Sequence, residues 1–425
     1  MTTKNNNYFI PMLVMALIFF MMGYITWTNG PLIPFLKIVC NLKTDVQAFF
    51  VTSAFYFAFF FMSLPSAWVL QKLGFKNGMI VGLGVIAVGS LLFIPAANSK
   101  IYSLFLLALF TQGTGLALLQ TAVNPYVSIL GPIGSAARRI SMVGMANKSA
   151  GIIAPFIVGG IILKGANELE NKLAHTTSIS ERNVILTEMA ARVQTPYIVL
   201  AIFVVVVAAV IYFCNLPEII AEEEPHEAGK TKKSILSFPN LVLGIAAIIF
   251  YVEAEVIAGD GIGQYGKNIG ISLDEAKHFT SYTMAAMLVG YIIGIIAIPK
   301  YLKQEQALKY SAMLGILFCI AIICSHGYTS ILFIALLGLA NALMWPSIFP
   351  LAIKGLGNFT KVGAALLIMG IGPGGGLVPL IYAYVGGALH PERGFWVIIV
   401  CYLFILYYAA YGHKKKLWAS SVKAT

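Results

Sequence analysis

Charge is what this chain has least of. Only 11% of its 425 residues are Asp, Glu, Lys or Arg, where a soluble globular protein has about 25%. That balance excludes a water-soluble enzyme, a nucleic-acid binder and a disordered chain. Cysteine is scarce too. Cys40, Cys214, Cys319, Cys324 and Cys401 are scattered, odd in number and mostly inside apolar runs, so they read as small buried hydrophobes. No CxxC spacing points to metal or redox chemistry. The first apolar stretch lacks a small-residue cleavage site after it and reads as a retained membrane span rather than a leader.

Apolar length is what the chain has in quantity. Hydrophobic residues make up 59% and aromatics 12%, and the mean hydropathy is +0.85. A helix needs about 20 apolar residues to cross a bilayer. Runs at 9–35, 47–71, 77–97, 101–129, 140–163, 196–216, 238–265, 277–299, 307–325, 329–353, 361–388 and 394–412 therefore predict twelve crossings. The polar segment 217–237 sits between the sixth and seventh, with Glu222, Glu223, Glu224, Glu227, Lys230, Lys232 and Lys233. The expected organisation is an all-α membrane protein: a six-helix bundle over 1–216, a cytoplasmic linker over 217–237 and a second six-helix bundle over 238–425. Segment 164–195 is the one sizeable insertion, expected to form a periplasmic surface hairpin with no chemical role.

The net charge of +11 is an orientation signal. With the N-terminus inside, the inner connections and tails carry 17 Lys and Arg and the short outer connections 6. Cytoplasmic loops hold the excess of basic residues, so both termini are expected in the cytoplasm and the chain in the inner membrane. The halves also repeat. Asn124-Pro125 ends the fourth run, Arg138-Arg139 follows, and Pro155 lies in the fifth. Trp345-Pro346, Lys361 and Pro379 take the same places in the second half. Parallel six-helix halves of this kind define the major facilitator fold, in which substrate binds near the midplane between halves.

Inside hydrocarbon an ionisable residue is costly and marks function by default. Four fall within spans: Lys148 in the fifth, and Glu253, Glu255 and Asp260 in the seventh. On a regular helix Glu253 and Asp260 share a face, while Glu255 lies about 160° from Glu253. Gly259, Gly261 and Gly263 make a helix break plausible. The bland alternative is a structural Lys148–Glu253 pair with Asp260 snorkelling outward. The amides Gln120, Asn124, Asn147, Asn29 and Asn341, with Trp345, suit a neutral polyhydroxyl ligand, because amides donate and accept at once. Two glycine motifs are set aside. Gly261, Gly263 and Gly266 spell GxGxxG without the strand a dinucleotide site requires. GIGPGGGLVP (370–379) lacks a following Lys-Ser/Thr and reads as close helix packing.

Three stretches resemble the fucose–proton symporter family, specifically its glucose/galactose branch: GTGLALLQTAVNPYVSILGP (113–132), ALMWPSIFPLAIKGLG (342–357) and NGPLIP (29–34). PSAWVLQKLGFKNG (65–78) resembles the general major facilitator signature, with Gln71 where that signature has aspartate. The resemblance implies a sugar-binding role for Asn147. Departures are informative. Gly30 stands where fucose symporters carry an aspartate, and Gln120 where they carry a glutamate. Glu255 matches the branch's glutamate, Glu253 replaces its usual glycine, and Lys148 has no counterpart.

The expectation is thus cation-coupled uptake of a hexose by alternating access. An uncoupled uniporter or exchanger for an amino sugar or sugar acid is the alternative. Gln120, Asn124, Asn147, Asn341, Trp345 and Asn29 are expected to bind sugar. Glu253, Glu255, Asp260 and Lys148 are expected to form the coupling site, and Arg138, Arg139 and Lys361 a cytoplasmic gate. Either H⁺ or Na⁺ is open as the driving ion; a carboxylate beside Lys148 stays ionised, which tilts the reading towards Na⁺ through the carboxylate least influenced by the lysine. No metal is expected beyond a Na⁺ at the coupling residues, and no cofactor. The expected partners are a sugar, the coupling ion and the lipid bilayer, with no nucleic acid, and the protein is expected to act as a monomer.

Overall fold

The computed structural model describes residues 9–129, 136–214, 216, 234–298, 301–356, 359–415 and 418. Among them the regular structure is helical, with no strand. Eleven helical stretches are long and apolar enough to cross a membrane. One of them, Asp45–Ser99, has 55 residues. As a straight helix it would reach about 80 Å, more than twice a hydrocarbon core of about 30 Å. It folds back at Gly74, whose φ of 73° lies where only glycine sits without strain. A Cβ on Gly78 would collide with Leu70, so the two arms lie side by side. The chain therefore crosses twelve times.

Span 1 is Phe9–Val39, and spans 2 and 3 are the two arms of Asp45–Ser99. Span 4 is Tyr102–Ile129, span 5 covers 136–162 and span 6 is Gln194–Phe213. Spans 7 to 10 are Pro239–Asn268, Leu273–Ala297, Gln304–Cys324 and Tyr328–Ile353. Span 11 covers 360–386, and span 12 is Phe395–Ala410. The segment 164–195 does form a hairpin, of helices Ala166–His175 and Ile179–Ala191. Its end of the bundle is called the hairpin end below, and the opposite one the linker end. Most of the expected linker, 217–233, lies outside the described residues.

Three seams join the first six spans to the last six: 1 with 7, 2 with 11, and 5 with 8. The 2–11 seam shows what the glycine run of span 11 does. A Cβ at Gly375 would collide with the Tyr56 ring, one at Gly372 would come within 2.5 Å of Phe60 Cβ, and one at Gly376 within 3.2 Å of the Phe57 ring. Small residues let helix backbones approach where no hydrophobic effect drives them together. Ser53 Oγ closes the same seam by donating to the Gly376 carbonyl at 2.5 Å.

Span 7 does not break at its glycines. Residues Ile257–Gly261 instead form a single π-helical turn, and the helix runs on to Asn268. A π turn carries one extra residue and is frequent at functional sites. That extra residue rotates everything beyond it by about 100°. The expectation that Glu253 and Asp260 share a face fails for this reason.

A candidate coupling site between the halves

Lys148 of span 5 and Glu255 of span 7 meet across the divide, with Nζ 2.7 Å from Oε1. The two side chains keep only 9% and 13% of their exposure. Trp27 of span 1 completes the arrangement, its ring centroid 4.6 Å from Nζ. A cation held over an indole face gains electrostatically when water is excluded. Gly151 and Gly259 make room for that indole. A Cβ at Gly151 would stand 2.6 Å from the Trp27 ring, and one at Gly259 would collide with it. Trp27, Met284, Met287, Tyr291 and Ala342 form their own buried cluster. Lys148 thus pairs with Glu255, not with Glu253.

The other two carboxylates part company. Asp260 is fully buried; no side chain hydrogen-bonds either oxygen, and the Gly30 backbone amide of span 1 is the polar group beside its carboxylate. It packs against span 1, where a Cβ on Gly30 would lie 3.4 Å from Asp260 Cα. Lys148, Glu255 and Tyr56 lie within its electrostatic reach. Asp260 does not snorkel. Glu253 is equally buried and unpartnered at both oxygens, but its field falls on Tyr382 and Cys401 of spans 11 and 12. It faces the interior of the second half, away from Lys148.

The amides also sort themselves. Gln120 and Asn124 are half-buried on the linker side of span 4, and Asn124 Nδ2 donates to the Gln120 carbonyl at 2.9 Å. Asn147 is half-buried, with Nδ2 donating to the Phe19 carbonyl of span 1 at 3.2 Å. Trp345 is half-buried on span 10, stacked on Phe349 at 5.6 Å and tilted against Tyr251 at 6.3 Å. Asn29 is buried with Nδ2 unpartnered. Asn341 turns into the second half, where its Oδ1 accepts from Tyr402 at 2.7 Å. Arg139 Nε donates to the Val127 carbonyl of span 4 at 3.0 Å. The side chains of Arg138 and Lys361 lie outside the described residues.

At the hairpin end the halves are joined by polar contacts that the sequence reading left aside. Asp45, at the start of span 2, accepts from Gln264 at 3.1 Å and from Asn268 at 2.6 Å, and pairs with Lys37. The hairpin takes part. Glu170 pairs with Lys267 at 2.6 Å, the Gly165 amide donates to Asp274 at 3.0 Å, and the Leu273 amide donates to Asn167 at 2.9 Å. Ser281 Oγ donates to the Ile152 carbonyl at 2.7 Å in the 5–8 seam. Trp27 had no signal in the sequence. Gln264 and Asn268 had one, since they continue from Asp260 at intervals of four.

Twelve membrane-spanning helices, seams that join six spans to six, and an ion pair shared between them define a multi-pass membrane transporter. The chain belongs to the Major Facilitator Superfamily, whose family model matches residues 15–379. The glucose/galactose transporter of Brucella abortus is 33% identical over 416 residues, covering 97% of this chain and 96% of that protein. The L-fucose-proton symporter of Escherichia coli K12 is 28% identical, covering 91% and 89%. The crystal structure of the E. coli fucose:proton symporter FucP superposes with a TM-score of 0.72 at 26% identity, covering 95% of this chain and 98% of that one.

Proposed function

We propose that the protein takes up a hexose across the cytoplasmic membrane by alternating access, coupled to protons, with Asp260 as the proton carrier. The observation that carries the coupling is the division of labour in span 7. Lys148 is bonded to Glu255 and not to Asp260, so it acts on Asp260 only through space and against the opposing charge of Glu255. An isolated carboxylate away from water is very costly, and a single proton removes that cost without further ligands. This displaces the tilt towards sodium, which assigned Na⁺ to the carboxylate least influenced by the lysine. The names of the L-fucose-proton symporter and of FucP support the same ion. Asp260 also packs against Gly30, the position where the resemblance places the symporters' aspartate.

The sugar reading rests on Gln120, Asn124, Asn147 and Trp345, half-buried on the linker side or midway along spans 4, 5 and 10, and on the relatives named for glucose and galactose. On the expected orientation, with the hairpin end outward and both termini in the cytoplasm, the joined end is the periplasmic one, and this reading takes the structure as an inward-facing state. Neutralisation of Lys148 by Glu255 disfavours it as an anchor for a sugar acid. Loading of proton and sugar shifts the balance between two packings of comparable stability.

The test is uptake into proteoliposomes with glucose, galactose, fucose and N-acetylglucosamine under a pH gradient or a Na⁺ gradient. At one proton per sugar, a one-unit pH step sustains about tenfold accumulation. Accumulation of glucose or galactose under the pH gradient is expected. Accumulation under the Na⁺ gradient alone would overturn the proton assignment.

A further inference from the structure

Asp260 is buried in an end-closed state, yet a proton must reach it from the periplasm. Asp260 lies at the end of the π turn, and Gln264 and Asn268 follow at intervals of four on the regular helix beyond it, so the three lie close to one face of span 7. Eight residues at 1.5 Å each put Asp260 about 12 Å below Asn268. The stripe ends at Asp45, itself only 6% exposed, at the hairpin end. Asn268 Nδ2 donates to Asp45 Oδ2 at 2.6 Å, and Gln264 Nε2 donates to Asp45 Oδ1 at 3.1 Å and to Asn268 Oδ1 at 2.8 Å.

Every buried polar group of a native protein has a partner, as a rule, and this stripe breaks the rule repeatedly. Gln264 is 1% exposed and its Oε1 has no partner; Asp260 is fully buried with no side chain bonded to its carboxylate, only the Gly30 backbone amide beside it. Asn29, next to the Gly30 that packs on Asp260, lacks one at Nδ2. With both Gln264 amide protons committed to Asp45 and Asn268, its free carbonyl oxygen is an acceptor for something else. The narrow cavity lined by Asp45, Phe49, Gly261, Gln264, Asn268 and Tyr382 offers about 10 Å³ to the centre of a water molecule, room for one.

We propose that this stripe is a proton access route, separate from the sugar cavity, by which hydronium from the hairpin side reaches Asp260. It rests on the reading of Asp260 as proton carrier. Asp45, buried beneath Lys37 and Asn268, receives the proton-bearing water at the hairpin end, and the Gln264 carbonyl accepts a hydrogen bond from the water that relays it. A proton passes from hydronium to the Asp260 carboxylate, leaving water and the neutral acid. The charged and titratable groups facing Asp260 are Glu255 on its own span, Lys148 from span 5 and Tyr56 from span 2. The route lets Asp260 load while the sugar path at this end is shut.

The test compares Gln264→Leu with Gln264→Ser in proteoliposomes of known orientation. Both substitutions remove the amide that ties span 7 to Asp45, but only leucine fills the wet space with hydrocarbon. With acid on the hairpin side, the initial rate of proton-driven uptake should fall at least tenfold in Gln264→Leu, and Gln264→Ser should recover most of it. With acid on the linker side, the two variants should differ by less than twofold, which also shows that both are folded. Equal rates in the two variants with acid on the hairpin side would overturn the route. Asp260→Asn separates the two levels of the account. If it keeps proton-driven accumulation, the carrier assignment falls. If it loses accumulation while leucine and serine behave alike, only the route falls.

Discussion

Lys148 is tolerable between the halves because a carboxylate and an indole face attend it at 2.7 and 4.6 Å. Removing one partner of a buried pair strands the other charge and costs about 3–5 kcal/mol, whereas replacing both with uncharged groups is often close to neutral. Glu255→Gln should therefore lower stability by about that amount in denaturant titrations in detergent, and Lys148→Met added to it should restore most of the loss. Additive losses would show that the pair is not the stabilising unit. Trp27→Phe should keep the site folded but loosen the lysine, weakening the face that attracts the ammonium by about 1 kcal/mol; a double-mutant cycle with Lys148→Met measures the coupling. Little of this was legible residue by residue. Lys148 and Glu255 stood out as charges in apolar runs, but which carboxylate met the lysine depended on helical phase, and Trp27 was one aromatic among many.

The π turn of span 7 is the element that decides the chemistry. It sends Glu253 towards spans 11 and 12 and leaves Asp260 against span 1. A regular helical wheel cannot anticipate it, because the extra residue is a property of the turn and not of composition. The glycines of span 11 were legible as close packing, and the structure shows what fills the space: Tyr56, Phe57 and Phe60 of span 2. Gly375→Ala should overpack that seam and cost about 1–3 kcal/mol, read as a drop in the melting midpoint. The hairpin's contacts were not legible in the sequence, since Asn167 and Glu170 gain their meaning only from Leu273 and Lys267, about a hundred residues away. Glu170→Gln combined with Asp274→Ala should loosen the hairpin end. A cysteine placed at Ser53, in a background without the native cysteines, should then label several-fold faster from that side; unchanged labelling would remove the hairpin from the gate.

At the scale of the whole molecule, apolar length in the sequence foretold twelve crossings, and the described residues bear the count out with Gly74 hiding one boundary inside a 55-residue helical stretch. In the proposed cycle, the joined hairpin end and the half-buried amides towards the linker end make one frame, and loading of Asp260 and sugar changes which end is closed. The most direct measurement is glucose or galactose transport by Asp260→Asn, with accumulation under a one-unit pH gradient and counterflow under none. The account predicts that accumulation falls from about tenfold to equilibration while counterflow continues near the wild-type rate. Undiminished accumulation in Asp260→Asn would contradict it.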